Sequence, residues 1–166
     1  STIIDLTCTP PRLLRPGGVT LEQLRATLGE VAVDSAVTRL MEAGEHPRAP
    51  GMKYRHYAPK APVTVVTGDS RRTARYIRER LGERTGIICF NEYREDFPGC
   101  VVEDIGSVAD KAEQARRVFD ALRAFDDTDV TAIFAQCPGD GGLGLAVANR
   151  LKKAAGFQIV DLGEGA

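Results

Sequence analysis

Val63-Thr64-Val65-Val66, then Gly68-Asp69-Ser70, then Ala74, Ile77 and Leu81 at helical spacing, then Gly86-Ile87-Ile88-Cys89-Phe90: this stretch decides the fold. A short apolar run bounded by a Gly-Asp turn reads as a buried strand, and the periodic segment after it as an amphipathic helix over 70–81. The next apolar run, 86–90, is a second strand, so the unit is strand, helix, strand. The pattern continues toward the C-terminus, with a strand over 101–105 and a helix over 110–125. That helix carries Ala115, Val118, Phe119, Leu122 and Phe125 on one face. A strand over 130–135, a helix over 143–155 and a last strand over 157–162 complete it. Strands alternating with helices at this interval predict βαβ units, hence an α/β domain with a mostly parallel sheet and helices on both faces.

Upstream the grammar changes, because seven of the nine prolines precede residue 63. Segments 2–7 and 12–14 read as short strands around Pro10-Pro11, and Pro16-Gly17-Gly18 as a turn. Thr20 with Gln23 forms a capping box for a helix bearing Leu21, Leu24 and Leu28, which Gly29 closes. A further short strand is expected over 31–33. Segment 34–62 contains His46-Pro47, Ala49-Pro50-Gly51, Ala58-Pro59 and Ala61-Pro62, too many prolines for a continued helix or a central strand. It reads as a linker or extended arm. No acid occurs between Glu45 and Asp69, whereas Arg48, Lys53, Arg55 and Lys60 do, so the arm is a local cation.

Composition narrows the function classes. With 43% hydrophobic and 27% charged residues the chain has material for a packed core and is not a disordered polymer. A net charge of -1 argues against a general nucleic-acid binder, which carries a basic excess. No apolar run approaches membrane-spanning length and no signal-peptide plan opens the chain, so a cytoplasmic protein is expected. The chain opens Ser1-Thr2-Ile3-Ile4-Asp5, without methionine and inside a strand-like run, which reads as a fragment of a longer protein. Cys8, Cys89, Cys100 and Cys137 lack metal-ligand spacing, so no metal centre is expected, and Cys89 and Cys137 read as buried thiols.

Three features bear on chemistry. Gly139-Asp140-Gly141-Gly142-Leu143-Gly144 matches G-x-G-x-x-G between a strand and a helix, with Asp161 on the following strand. Such a turn suits a pyrophosphate at a helix N-terminus, yet any tight strand-to-helix turn also favours glycine, and its place late in the chain fits the structural reading better. The arm Pro50-Gly51-Met52-Lys53-Tyr54-Arg55-His56-Tyr57-Ala58-Pro59 concentrates cations and tyrosines. That set suits a polyphosphate nucleotide, with Lys53 and Arg55 as phosphate contacts, or equally a linker anchored by its rings. Arg15, fixed between Leu14 and Pro16, can offer a guanidinium fork to phosphate. No nucleophile or general base stands out.

Taken together, Ser1-Thr2-Ile3-Ile4-Asp5-Leu6-Thr7, Leu14-Arg15-Pro16-Gly17, Thr20-Leu21-Glu22-Gln23-Leu24, the 50–59 arm and Gly144-Leu145-Ala146-Val147-Ala148-Asn149-Arg150-Leu151 resemble the two-domain threonylcarbamoyl-AMP synthases, the YrdC/Sua-type family. The resemblance implies that 1–30 is the end of a YrdC-like catalytic domain, 31–62 an interdomain linker that closes over ATP, and 63–166 a Rossmann-like accessory domain. It also implies an enzyme that makes L-threonylcarbamoyl-adenylate from L-threonine, bicarbonate and ATP with Mg2+. The product would feed the proteins that install threonylcarbamoyladenosine in tRNA. By the same resemblance Ser1 contacts threonine, and Arg15 and Tyr54 contact ATP. The main catalytic domain lies upstream of this sequence, so the chain alone is expected to be inactive. The competing expectation is a non-catalytic α/β module that senses a small molecule or nucleotide, or docks a protein.

Overall fold

The computed structural model describes residues 1–39 and 58–163. The first segment builds a small sheet. Strand β1 (Ile3–Asp5) pairs antiparallel with β2 (Arg12–Arg15), and after helix α1 (Leu21–Leu28) the chain returns as β3 (Ala32–Val33), parallel to β2. The capping box forms as the sequence predicts: the Thr20 hydroxyl accepts from the Gln23 amide at 3.2 Å, and the Gln23 side chain accepts from the Thr20 amide at 2.9 Å. Gly29 ends the helix at φ 82°, a backbone conformation glycine adopts without a Cβ penalty. The leucine stripe on α1 does not become a buried face: none of its residues is buried among the described residues, and Leu28 is 41% exposed. Asp34, held by Arg12 at 3.4 Å, caps a single 3-10 turn over Ser35–Val37.

The second segment contains β4 (Val63–Thr67), α2 (Ser70–Arg78), β5 (Thr85–Cys89), β6 (Val101–Asp104), α3 (Lys111–Ala124), β7 (Ala132–Gln136), α4 (Gly144–Ala154) and β8 (Ile159–Asp161). The five strands form one all-parallel sheet in the order β6-β5-β7-β4-β8. The chain first winds from β4 toward β6, then reverses and winds through α3 and α4 to β8. Right-handed crossovers in opposite senses place helices on opposite faces. Ala74 and Ile77 of α2 pack with Val66 and Ile87 on one face, while Val118, Leu122, Val147 and Leu151 pack with Val65, Ile88 and Ile133 on the other. The alternation of Val65 against Val66, and of Ile87 against Ile88, is the two-residue period of a strand covered on both sides.

Two differences from the sequence reading are local. Helix α2 stops at Arg78 instead of reaching Leu81, because the chain turns through Gly82 and Arg84 (φ 56°), and the Thr85 hydroxyl bonds both the N–H and the C=O of Gly82. Leu81 still packs on the α2-side core. A 3-10 helix over Asn91–Asp96, not anticipated, follows β5 and leads into β6. Gly86 sits in a fully buried central strand because a Cβ there would lie 2.6 Å from the Phe125 ring.

One buried amide ties the layers together. Gln136, at the end of β7 and 0% exposed, accepts from the Phe90 amide at 3.0 Å and donates to the Ser70 carbonyl at 3.0 Å and the Thr73 hydroxyl at 3.1 Å. Every one of its polar atoms is satisfied. Gln136→Leu removes all three bonds and strands the buried Phe90 N–H, so about 2–3 kcal/mol of stability should be lost. Urea unfolding measures it, and a loss below about 0.5 kcal/mol, ordinary for a surface change, would refute this role.

Candidate functional site

The site begins with the way the N-terminus folds back. The Thr2 hydroxyl donates to the Val19 carbonyl at 2.8 Å and accepts from the Val19 amide at 3.0 Å, clamping 16–19 against the first two residues. Gly17 lies so close that a Cβ would sit 2.4 Å from the Thr2 nitrogen and 2.5 Å from the Ser1 carbonyl carbon. In the sheet Ile3 pairs with Arg15, so Ser1 and Arg15 come from the same end of neighbouring strands. Pro16 fixes the turn that follows.

This corner faces helix α4, 130 residues downstream. Asn149, buried, donates from Nδ2 to the Val37 carbonyl at 2.7 Å, and the Gly142 amide donates to the Glu22 carboxylate at 3.2 Å. Between the docked surfaces is a cavity of about 180 Å3. Ser1, Arg15 and the Gly17-Gly18 turn line one side, and Asn149, Arg150 and Lys153 of α4 line the other. Lys153 is only 6% exposed. Burial, then the charges of Arg15 and Arg150, lower its pKa to about 8. Arg150 is lowered too, by burial and by Arg15. Three cations therefore share one small space, and among the described lining residues there is no carboxylate.

A second crevice, of about 550 Å3, opens at the carboxyl ends of β4, β7 and β8, lined by Thr67-Gly68-Asp69, Cys137, Asp140 and Asp161. Chains leave β4 and β7 toward opposite faces there, which makes it the switch point of the sheet, the usual ligand crevice of such folds. Its character is acidic. Asp161 is held below the usual carboxylate range by the Gly163 amide and the Thr67 hydroxyl, and Lys152 lies 3.8 Å from Asp140. Both cysteines expected to be buried are: burial pushes the Cys89 and Cys137 thiols up to about 12, leaving them protonated.

The glycine-rich turn is engaged by protein. Its Gly142 amide is taken by Glu22, its Gly141 carbonyl accepts from Lys111 at 2.9 Å, and a Cβ on Gly144 would lie 2.1 Å from the Gly139 oxygen. Hydrogen bonds from its own backbone N–H and from Gly142 hold the Glu22 carboxyl below its ordinary range. A carboxylate thus occupies the place that a phosphate would need, and the turn packs one segment on the other.

Of the residues singled out from sequence, Ser1 and Arg15 share the cation-lined cavity. Lys53, Tyr54, Arg55 and His56 lie outside the described residues. Sequence reasoning did not single out Arg150 and Lys153. Their signal was a pair of cations one turn apart, beside Asn149, on a helix whose other residues are mostly apolar. Among the described residues no cluster of His, Cys, Asp or Glu could hold a metal ion, and no helix is long and apolar enough to cross a membrane.

The sequence and the fold have close counterparts in known proteins. Residues 19–156 match the family described as threonylcarbamoyl-AMP synthase, C-terminal domain. A threonylcarbamoyl-AMP synthase of Pyrococcus abyssi is 43% identical over 98% of this chain, and one of Bacillus subtilis 39% identical over 96%. The chain spans about half the length of these relatives, 47% and 46%. The crystal structure of P. abyssi Sua5 complexed with L-threonine superposes with a TM-score of 0.86 at 40% identity, covering 98% of this chain and 47% of that one. The small sheet, the all-parallel α/β domain and the sequence that builds them therefore place this chain in the threonylcarbamoyl-AMP synthase family, as a match to its C-terminal part.

Proposed function

We propose that this chain is the C-terminal part of an enzyme that forms L-threonylcarbamoyl-adenylate from L-threonine, bicarbonate and ATP for threonylcarbamoyladenosine synthesis in tRNA. The observation that carries the reading is the meeting of Ser1 and Arg15 in one cavity, closed by the accessory domain, in a chain of this family. In the reaction a carbamate oxygen of N-carboxythreonine attacks the α-phosphorus. The bond to the bridging oxygen breaks, and its electron pair leaves with pyrophosphate. Such chemistry needs alignment and charge neutralisation more than a nucleophilic side chain. Ser1 contacts threonine through its hydroxyl, and the Arg15 guanidinium neutralises ATP. The arm contributes Tyr54 to ATP, with Lys53 and Arg55 as phosphate contacts, and closes over the nucleotide. The described lining residues include no carboxylate, and Mg2+ enters with the triphosphate as part of the substrate.

The test is steady-state kinetics of the complete protein with Mg-ATP varied. Arg15→Ala and Tyr54→Ala should each lower kcat/KM for ATP by about 10- to 100-fold, the loss of one or two charge-assisted or ring contacts. Unchanged kinetics in both would remove this corner and the arm from the nucleotide site.

The acidic crevice at the switch point favours a second reading, a non-catalytic module that binds a small molecule there. Calorimetric titration of the chain with ATP distinguishes the two. Binding abolished by Arg15→Ala supports the enzyme reading, whereas binding abolished only by a bulky change at Gly68, inside the crevice, supports the module.

A further inference from the structure

The two described segments meet along α4, and hydrogen bonds fasten them at two depths. The bond from Asn149 to the Val37 carbonyl is buried, whereas the bond from the Gly142 amide to Glu22, earlier along the second segment, is exposed. One fastening alone leaves rotation about itself; a second point fixes orientation. Between the two fastenings lie Leu143, Ala146 and Val147, which line the cavity together with Asn149. The outer bond therefore sets how the wall presented by α4 stands to Ser1 and Arg15.

Both ends of that outer bond are rigid. Glu22 lies inside the Thr20–Gln23 capping box of α1, and Val19, just ahead of it, is bonded twice to Thr2. The carboxylate is thus fixed to the corner that carries Ser1 and Arg15. On the other side the Gly141 carbonyl accepts from Lys111 of α3, and the close approach of Gly144 to the Gly139 oxygen leaves the turn no slack. A pull on Gly142 is a pull on α4. Electrostatics also favours a carboxylate here. Among the described residues no side chain of α4's own caps it, and its first amides close on the carbonyls of Gly141, Gly142 and Leu143. The Glu22 carboxylate accepts from its own N–H at the start of α1 and from Gly142 just ahead of α4. One negative charge serves the positive ends of two helices that would otherwise face each other uncompensated.

We propose that Glu22 is a positioning residue: its carboxylate clamps α4 over the corner of Ser1 and Arg15 and so keeps the free protein in the arrangement that takes ATP. The identity of the substrate rests on the function proposed above; the clamp itself does not. Where only a fraction of molecules is competent, apparent affinity falls by that fraction, while the complex, once assembled, turns over at its usual rate. Loss of the clamp therefore acts on KM, whereas loss of folded enzyme acts on kcat alone.

Two measurements test the proposal. In the 166-residue chain, hydrogen exchange of the amides of 143–147, at the start of α4, should run about 3-fold or more faster in Glu22→Ala than in the unaltered chain. Glu30→Gln, at an exposed carboxylate of the same segment, is the control and should leave it unchanged. In the complete protein, Glu22→Ala should raise the KM for ATP by about 3- to 10-fold with kcat within about 2-fold. Glu22→Gln, which keeps the acceptor and loses the charge, should fall between the two. Thermal melts separate a lost clamp from a lost fold, and if Glu22→Ala melts below the assay temperature, Glu22→Gln carries both comparisons. Unchanged exchange over 143–147 in the folded variant overturns the proposal. So does a fall in kcat at unaltered KM, the mark of lost folded enzyme. Faster exchange, in a protein whose complete form makes no adenylate, sinks the proposed function and keeps the clamp. Adenylate synthesis with a KM for ATP unaltered by Glu22→Ala keeps that function and removes Glu22 from positioning.

Discussion

Gly17→Ala is expected to do more damage than any other single methyl group added to this chain's first segment. The added Cβ meets backbone, 2.4 Å from the Thr2 nitrogen and 2.5 Å from the Ser1 carbonyl carbon, as well as the Thr2 hydroxyl at 2.8 Å. No flexible side-chain end is available to move aside. The strain is relieved only by displacing residues 1–2 or the 16–19 turn by about an ångström, at a cost near the upper end of the 1–3 kcal/mol typical of overpacking. Both bonds between Thr2 and Val19 are then at risk. The functional loss should exceed the loss of stability, because Ser1 and Arg15 lie on the two pieces being forced apart. Misplacement of about 1 Å in a positioning site costs up to about 100-fold in rate. Gly18→Ala is the control, since a Cβ there meets nothing within 4 Å. A fall of about 10-fold or more in kcat/KM of the complete protein for Gly17→Ala, with Gly18→Ala near wild type, is the expected result. Equal behaviour of the two would mean that this corner does not position substrate.

Most of the fold was legible because it is periodic. The four α-helices among the described residues, the five strands of the large sheet and the capping box at Thr20 follow from apolar spacing and cap residues, with no boundary displaced by more than three residues. What was not legible is tertiary. The Gly139 to Gly144 pattern has the spacing of a phosphate turn, and nothing local shows that Glu22, 120 positions away, takes its free amide. Arg150 and Lys153 have the spacing of a solvated helix face. Lys153 is buried because the first segment docks on α4, through contacts such as that between Asn149 and Val37, 112 positions apart. Arg15 could be singled out as a candidate from sequence because its constraint is local, a guanidinium fixed ahead of a proline. The cations that complete its surroundings could not, since proximity between β2 and α4 is a property of the folded chain.

The docking of α4 on the first segment also bears on how the two halves of the complete protein divide the work. If the accessory domain only steadied its neighbour, the upstream part alone would keep the reaction and lose some stability. If α4 closes the cavity and the first segment supplies Ser1 and Arg15, removing the chain takes away substrate contacts together with a wall of the site. Each charge-assisted contact to a developing charge contributes on the order of 2–4 kcal/mol, so loss of several lowers the rate below detection.

The most direct test is threonylcarbamoyl-adenylate formation from threonine, bicarbonate and Mg-ATP by the complete protein, by its upstream part alone, and by that part mixed with this chain. The expected result is activity in the first, none above a no-protein control in the second or in this chain by itself, and partial recovery in the mixture that Arg15→Ala abolishes. Full activity of the upstream part alone would contradict a catalytic role for this chain.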